Sequence, residues 1–196
     1  MKLNLGCGNF KKEGYINVDS NPIVEPDVML NLNEVESYKK WNDNEVDEIF
    51  MSHVLEHLSD PFEIMKQLHR ILKPGGILHI EVPHFSRGFT HAQHARGFDI
   101  TFYYYYDKRF SGGYYGIDFE LVKLKLNWMS GFHIKKEVTS NPIILGGAKL
   151  LNCAISFFAN ISPYFCSRIW CFWVGGFEEV IFIFRKPKDK TEAGHS

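Results

Sequence analysis

The sequence predicts an α/β protein with a mostly parallel sheet of about seven strands, the last of them antiparallel. Short apolar segments of strand character recur from the amino terminus onward, and glycine or proline stands at their ends. One strongly patterned helix separates two of these segments. A strand, a helix and a second strand in this order are typical of a parallel sheet with right-handed crossovers.

The first two predicted strands, residues 3–5 and 15–19, lie unusually close together in the sequence. The first ends in Gly6-Cys7-Gly8, and only residues 9–14 separate it from the second. A crossover between parallel neighbours usually needs a dozen or more residues. We therefore predict that the first helix is truncated to a single turn or replaced by a loop. Two further strands are predicted at 27–32 and 46–51.

The clearest helix of the chain follows Asp60. This aspartate is a suitable N-cap, Pro61 suits the first helical position, and Glu63 stands where a capping box has a carboxylate. Apolar residues then recur at steps of three and four until Pro74 and two glycines end the helix. A fifth strand is predicted at 77–83.

The second half of the chain is less regular. Residues 84–117 are rich in aromatic residues and glycine, which predicts an insertion over the sheet edge. The tyrosine run 103–106 could line an acceptor pocket or pack as a lid, and we favour the lid. A strand is predicted at 122–128, with a hairpin partner at 133–139, and the last strand at 179–185. Residues 1–186 are expected to form one domain and 187–196 a disordered polar tail.

A helix with two unequal faces is predicted between residues 149 and 160. Lys149, Asn152, Ser156 and Asn160 fall at helical steps and form a narrow polar stripe, and apolar residues fill the rest. The broad apolar face has three interpretations: core against the sheet, a dimer contact, or contact with a membrane interface or a lipid-like ligand. Burial in the core is the interpretation that we favour at this point, because a strand follows the segment.

Composition limits the classes of partner. The net charge is -1, so no overall positive field favours nucleic acid. The four cysteines lack metal-type spacing, which predicts free thiols, and the start of the chain lacks a signal-peptide pattern, which predicts a cytoplasmic location. Charged and polar residues interrupt the apolar region 143–177, so we expect no transmembrane segment, while peripheral membrane contact stays open. The expected assembly is a monomer or a homodimer.

The glycine turn and Asp19 are the first candidate binding residues. A tight turn after a strand lets backbone N–H groups approach a ligand closely, and an acidic residue that ends the next strand can accept hydrogen bonds from both hydroxyls of a ribose. Gly6, Gly8 and Asp19 supply these two elements. A purely structural glycine turn would have the same pattern, so the turn alone does not decide.

Four segments together resemble the class I S-adenosylmethionine-dependent methyltransferases, and specifically the small methyltransferase-domain family related to ubiquinone and menaquinone biosynthesis enzymes. The segments are LNLGCGN at 3–9, NVD at 17–19, SHVLEHL at 52–58 and RILKPGGIL at 70–78. They occur in the family's order over about the first 85 residues. The resemblance implies a Rossmann-like sheet with S-adenosylmethionine at the carboxyl ends of its strands.

The resemblance also implies a role for individual residues. Gly6, Cys7, Gly8 and Asn9 would border the methionine part of the cofactor, and Asp19 with Ser20 would lie at the ribose. Asn31 and Leu32 would flank the adenine. Ser52 and His53 would face the methionine moiety and the sulfonium.

Three departures from the family pattern affect details of this site. Asn4 stands where an acidic residue is usual, Asn9-Phe10 stands where Thr-Gly or a similar pair is usual, and Asn31 replaces a frequent aspartate. An asparagine can still accept a hydrogen bond from the adenine amine through its carbonyl oxygen.

The histidines permit a rival interpretation. His53-Val54-Leu55-Glu56-His57 fits the pattern H-x-x-E-H, in which two helical histidines bind zinc and the glutamate acts as a base. That chemistry needs the motif inside a helix, whereas here it follows a strand and precedes the N-cap Asp60. We therefore predict no metal site and expect Glu56 and His57 to shape the strand-to-helix turn.

His91 and His94 are the candidate catalytic residues. They lie in the insertion, where members of the family often carry a histidine that faces the methyl acceptor. A histidine can remove a proton near neutral pH if the acceptor must lose one. The sequence thus predicts methyl transfer to a small-molecule or glycan-like acceptor; the alternatives are a non-catalytic module that binds S-adenosylmethionine and, less favoured, a zinc hydrolase.

Overall fold

The computed structural model describes residues 1–88, 91–130 and 141–188. Its centre is a seven-stranded sheet in the order β3-β2-β1-β4-β5-β7-β6, in which β7 runs antiparallel to both neighbours and the other pairs are parallel. This confirms the predicted α/β architecture. The strands are β1 Lys2–Leu5, β2 Ile16–Asp19, β3 Val28–Met29, β4 Val46–Ser52, β5 Leu72–Pro83, β6 Glu120–Asn127 and β7 Glu179–Arg185.

Four α-helices accompany the sheet in the described ranges: α1 Pro61–Ile71, α2 Phe85–Gly88, α3 Pro142–Ala159 and α4 Pro163–Arg168. The predicted start of α1 is confirmed, since the Asp60 carboxylate accepts hydrogen bonds from the backbone N–H groups of Phe62 and Glu63 at 3.0 and 3.1 Å. Glu63 pairs with Lys66 at 3.1 Å. The helix ends at Ile71 and β5 begins at once, before the proline and glycines, so β5 starts earlier than predicted.

The crossover between β1 and β2 contains no helix, as its length predicts. Side-chain hydrogen bonds hold this loop instead. The Asn17 Oδ1 atom accepts from Asn4 Nδ2 at 2.9 Å and from the Lys12 N–H at 2.8 Å, and the Asn17 N–H donates to Asp27 at 2.7 Å. Asn4 and Asn17 are both buried, so their amides supply the polar contacts that a helix would otherwise provide.

The aromatic insertion contributes to the core on the α1 side of the sheet. Phe102 and Tyr106 are buried and contact Phe62 of α1, and Phe102 also contacts Phe182 of β7, with ring centroids 5.8 to 6.4 Å apart. The tyrosine run therefore does not pack as a lid: it lies in a 3-10 helix, Ile100–Tyr106, whose apolar side is part of the core. Local pattern did not reveal this, because residues 102–106 are all aromatic, yet Phe102 and Tyr106 are buried and the three tyrosines between them are only half-buried.

The prediction that the apolar face of the second long helix is core is wrong. α3 turns its polar stripe toward the protein: the backbone N–H groups of Leu126, Trp128 and Met129 donate to Asn160, Ser156 and Asn152 at 2.9 to 3.0 Å. The Asn160 amide also donates to the Leu126 carbonyl at 2.8 Å. β6 is an edge strand, and its unpaired backbone groups need hydrogen-bond partners. The polar stripe supplies them, so the apolar face points outward.

Two predictions lie outside the described residues, namely the hairpin partner at 133–139 and most of the tail at 187–196.

The third strand is shorter than predicted, Val28–Met29, and the sixth spans Glu120–Asn127. Within the described ranges, α3 is long and apolar enough to cross a membrane by length and composition alone.

Candidate functional site

A cavity of about 1060 Å³ opens at the carboxyl ends of β1 and β4, where ligands of open parallel sheets bind. Its walls come from the turn after β1, the end of β4, the first part of the insertion and the residues around the start of β7. The lining includes Asn4, Gly6, Cys7, Asn9, Phe10, Ser52, His53, His57, Glu81, His91, His94, Glu178 and Glu179.

The glycine turn at the cavity is held by β2. The backbone N–H groups of Gly6 and Cys7 both donate to the Val18 carbonyl, at 2.8 and 3.0 Å. Gly6 and Gly8 have φ angles of +67° and +48°, in the left-handed region that glycine adopts without strain. A side chain on Gly6 would meet Val54, because a Cβ atom there would lie 2.2 Å from Val54 Cγ2.

Asp19 is the last residue of β2, and its carboxylate holds the glycine turn. Its Oδ2 atom accepts from the Gly8 N–H at 2.8 Å and its Oδ1 atom from the Asn21 N–H at 2.9 Å. A carboxylate has about four lone-pair directions, so each oxygen keeps capacity for one more donor. Asp19 therefore has a structural role in the turn and remains able to accept hydrogen bonds from a ligand.

The structure brings seven of the twelve predicted site residues to the cavity wall and leaves five outside it. Those in the lining are Gly6, Cys7, Asn9, Ser52, His53, His91 and His94. Gly8 of the turn, with Asp19 and Ser20, is not part of the lining. The Asn31 amide donates to Glu34 at 2.8 Å and its oxygen accepts from the Asn33 N–H at 3.1 Å, while Leu32 is buried in the core. No ligand tests the individual roles, which stay predictions.

His53 lies between two buried glutamates at the floor of the cavity. Its Nε2 atom is 3.1 Å from Glu179 Oε1 and its Nδ1 atom is 3.4 Å from Glu56 Oε1. Burial lowers the pKa of His53, but the hydrogen bonds and charges of Glu179 and Glu56 outweigh burial and raise this pKa to about 10. His53 also has a φ angle of +52°, an uncommon conformation for a residue other than glycine.

Acidic residues at the cavity were missed by the sequence analysis. Glu81 accepts from Ser52 Oγ at 2.6 Å, and Glu179 accepts from Asn127 Nδ2 at 2.6 Å. Burial raises the pKa of Glu81, but hydrogen bonds from His79 and Ser52 outweigh this and lower it. A glutamate near the end of an apolar strand, as in Ile80-Glu81-Val82, was an available signal. The cavity wall therefore carries three carboxylates that can face a cationic group, Glu81, Glu178 and Glu179, together with the basic residues Lys11, Lys12 and His53.

Glu56 is the centre of a second cluster, at the insertion side of the cavity. It is 0% exposed, and its Oε1 atom lies 3.9 Å from His57 Nε2 and 3.8 Å from His94 Nε2. Residues 55–57 form a 3-10 turn, so the helical H-x-x-E-H arrangement of a zinc hydrolase is not formed. The expectation that Glu56 and His57 belong to a strand-to-helix turn is confirmed, although the turn also places them at the cavity.

Comparisons with known proteins agree with this architecture. Residues 15–80, about a third of the chain, match the family model of the methyltransferase domain. A SAM-dependent methyltransferase from Archaeoglobus fulgidus superposes with a TM-score of 0.55 at 21% identity, covering 94% of this chain and 85% of that chain. This chain has the class I methyltransferase fold. The resemblance seen in the sequence is thereby confirmed, while the specific link to ubiquinone and menaquinone enzymes stays a prediction.

Two more structures share the fold at lower identity. A phosphoethanolamine N-methyltransferase 2 from Haemonchus contortus, in complex with phosphomonomethylethanolamine and S-adenosylhomocysteine, has a TM-score of 0.54 at 15% identity, covering 95% of this chain and 48% of that chain. The [4+2]-cyclase SpnF has a TM-score of 0.54 at 13% identity, covering 96% and 75%. Among curated protein sequences the search finds no significant match. Because one fold hosts several chemistries, the reaction must be argued from the site.

Proposed function

We propose that this protein transfers a methyl group from S-adenosylmethionine to a small-molecule or glycan-like acceptor. The observation that carries the proposal is the glycine turn held by Val18 and Asp19 at the mouth of the 1060 Å³ cavity, at the carboxyl ends of the parallel strands. A cavity of this volume lies at the upper end of the range for small-molecule sites, which suits a cofactor and an acceptor side by side.

The residues of the turn fit the cofactor. A Cβ atom on Gly8 would meet nothing within 4 Å, so open space lies beside the backbone at this point. Asp19 keeps lone pairs for ribose hydroxyls. Glu81 and Glu179 at the cavity wall provide negative charge for the sulfonium and the ammonium of the methionine part.

The cofactor supplies an electrophilic methyl group, and the work of the protein is to orient the acceptor toward it. Holding two reactants in line at near-contact distance contributes a large part of the rate in such displacements. His94 and His91 line the insertion side of the cavity with ring centroids 4.7 Å apart. The His94 Nδ1–H donates to the Gly88 carbonyl at 2.7 Å, which leaves Nε2 with a lone pair able to take a proton from an acceptor.

A binding module without turnover would bind S-adenosylmethionine with the same affinity. An assay of methyl transfer therefore distinguishes this alternative from the enzyme. Release of S-adenosylhomocysteine in the presence of broad acceptor pools supports transfer, and its complete absence across such pools supports the module. Nothing in the geometry favours a zinc hydrolase.

We expect calorimetry to show one S-adenosylmethionine bound per chain, with at least a tenfold loss of affinity in Asp19→Ala. The loss follows because a charge-assisted hydrogen bond contributes about 1.5 to 3 kcal/mol. Asp27→Ala is the matched control, since Asp27 also accepts a backbone N–H, from Asn17, whereas the N–H that Asp19 accepts belongs to Gly8 in the glycine turn. Absence of binding to the unaltered chain contradicts the proposal, and equal losses in both variants contradict the role of Asp19.

A further inference from the structure

We propose that Glu56, His57 and His94 form a binding site for a divalent transition metal of the zinc class, at the insertion side of the cavity. One ligand atom from each residue lies within 4.8 Å of the others. Two imidazole nitrogens and one carboxylate oxygen form a donor set that occurs in catalytic zinc sites, where a fourth position stays open for a water or a substrate.

The first observation behind this site is the state of Glu56. Its side chain is fully buried, neither carboxylate oxygen has a hydrogen-bond partner of ordinary geometry, and the nearest ring nitrogen is His53 Nδ1, 3.4 Å from Oε1. An isolated buried carboxylate is costly, and buried charges are ordinarily paired or bound to metal. A cation at the cluster removes this cost.

The second observation is the orientation of the two histidines. His57 Nδ1 lies 3.2 Å from the Gln93 carbonyl oxygen, and His94 Nδ1 lies 2.7 Å from the Gly88 carbonyl oxygen. A carbonyl only accepts, so Nδ1 carries the proton in both rings, and the Nε2 lone pairs of neutral rings face Glu56. Metal-binding histidines characteristically donate their other N–H in this way, which sets the tautomer and the ring orientation.

Three acceptor atoms thus converge when both rings are neutral, while His53 contacts Glu56 Oε1 through its own Nδ1 atom at 3.4 Å. The Nε2 atoms are 3.8 and 3.9 Å from Glu56 Oε1, and the two rings pack edge to face with centroids 5.0 Å apart. Bonds of about 2.0 to 2.2 Å to one zinc ion need only small movements of these side chains. This set differs from H-x-x-E-H hydrolase chemistry, because Glu56 is a ligand here and His94 comes from the insertion.

The metal site also suggests which class of methyl acceptor the protein uses. This inference rests on the proposed function. His57 and His94 both line the cavity, so an open coordination position would face bound acceptor. A metal ion of this class lowers the pKa of a bound oxygen ligand. With metal bound, His94 Nε2 would be a ligand and would not accept the proton. A hydroxyl acceptor at the open position would therefore lose its proton to solvent water, and its oxygen would attack the methyl carbon as S-adenosylhomocysteine leaves.

The test is a zinc titration of the purified full chain, stripped of metal with a chelator, without S-adenosylmethionine. We expect one zinc per chain by competition with a chromophoric chelator, and at least a hundredfold loss of affinity in His94→Ala and in Glu56→Gln. His79→Ala is the matched control, because His79 also pairs with a glutamate, Glu81 at 3.2 Å, but has no third ligand. Cobalt in place of zinc should give the visible spectrum of a low-coordinate site.

Either of two results overturns the proposal. If the unaltered chain binds no zinc stoichiometrically, protonated histidines balance Glu56 instead. If binding persists unchanged in folded His94→Ala and Glu56→Gln, the metal lies elsewhere. Because cofactor binding is not part of the readout, failure here is distinct from failure of the methyl-transfer proposal.

A different observation carries a second proposal: we infer that the outward face of α3 and α4 binds the surface of a lipid bilayer. Exposed apolar residues recur along α3 in a stripe two residues wide at helical spacing and continue through α4 to the next turn. We call this stripe the apolar face; it comprises Ile143, Ile144, Leu150, Leu151, Phe157, Phe158, Ile161, Tyr164, Phe165, Ile169, Phe172 and Trp173. Leu150, Phe157 and Trp173 are 75, 66 and 73% exposed.

Charge separates a bilayer from a second copy of the chain as the occupant. Residues 141–177 contain no Asp or Glu, and their only basic residues are Lys149 and Arg168. Arg168 is already paired with Asp99, whose Oδ2 atom lies 2.6 Å from Arg168 Nε, whereas Lys149 is exposed. In a two-fold dimer Lys149 would meet a partner surface without carboxylates, whereas anionic headgroups complement it. Phenylalanine, leucine and tryptophan on an exposed helical face are typical of helices that lie in the interface.

The helix lies on the membrane in this proposal and does not span it. Asn152, Ser156 and Asn160 hydrogen-bond the backbone at β6, so a spanning α3 would leave the edge of the sheet unpaired.

We expect the full chain to sediment with vesicles of equal parts phosphatidylcholine and phosphatidylglycerol, and less with phosphatidylcholine alone. The double variant Phe157→Gln/Trp173→Gln should bind these vesicles at least tenfold more weakly. Ile23→Gln is the matched control, since Ile23 is 85% exposed but lies outside the apolar face. Absence of vesicle binding overturns the inference, as does a dimer in solution that the double variant dissociates while vesicle binding is unaffected.

Discussion

Gly6→Ala should lower the free energy of unfolding by about 2 to 5 kcal/mol, considerably more than the same change at Gly8. The left-handed conformation costs a residue with a Cβ about 1 to 2 kcal/mol, and this applies at φ +67° and at φ +48° alike. Only at Gly6 does the new methyl group meet a neighbour, Val54 Cγ2 at 2.2 Å. Overpacking of this kind adds about 1 to 3 kcal/mol.

Urea denaturation of Gly6→Ala and Gly8→Ala measures the difference, because the two variants share the conformational cost and differ in the clash. The double variant Gly6→Ala/Val54→Ala should lose less stability than the sum of the two single variants, since the removed methyl groups of Val54 leave room for the new one. Equal losses at Gly6 and Gly8 would show that the contact with Val54 does not constrain the turn.

Because His84 resists protonation in the folded protein, the free energy of unfolding should fall by about 2 kcal/mol as the pH falls from about 7.5 to about 5. The ring is 0% exposed and lies between Ser86 Oγ at 2.7 Å and Ser167 Oγ at 2.8 Å. Burial lowers the pKa of His84 from 6.5 to about 4, and the nearby Asp99 carboxylate opposes this only in part. Between these values the unfolded chain binds a proton that the folded chain does not, so the free energy of unfolding falls as pH falls.

The measurement is the free energy of unfolding by urea at several pH values for the unaltered chain, His84→Gln and His91→Gln. Glutamine does not titrate, so His84→Gln should lose this part of the pH dependence even if it is less stable throughout. His91→Gln keeps His84 and should keep its contribution. An unchanged slope in His84→Gln would show that another group is responsible for the loss in acid.

Much of the fold was accessible from the sequence because its signals are local. The Asp60 cap, the proline after it and the helical periodicity predicted α1, and the short spacing between Gly8 and Tyr15 predicted a first crossover without a full helix. Alternating apolar residues predicted β7 at its observed bounds. In each case the backbone conformation depends on residues within a few positions of one another.

The candidate site was predicted in part for the same reason. The turn at Gly6 and the strand end at Ser52-His53 are local features, and both reach the cavity. Glu179 and the cluster of Glu56 with His94 were not predicted, because they join residues 38 to 126 positions apart through the sheet and the insertion. No pattern within a single segment indicates such a contact.

The sequence by itself determined that α3 has one polar and one apolar face, since that follows from the 3.6-residue period. It did not determine which face turns inward. The tertiary structure decided this point, because β6 lies at the edge of the sheet. The backbone N–H groups of Leu126 in β6 and of Trp128 and Met129 just after it need acceptors. The side chains of Asn160, Ser156 and Asn152 accept these hydrogen bonds. An unpaired buried backbone group costs about 1 to 3 kcal/mol, and the hydrogen bonds from the polar stripe avoid that cost. Because the polar stripe faces the sheet, the apolar residues of α3 lie outside.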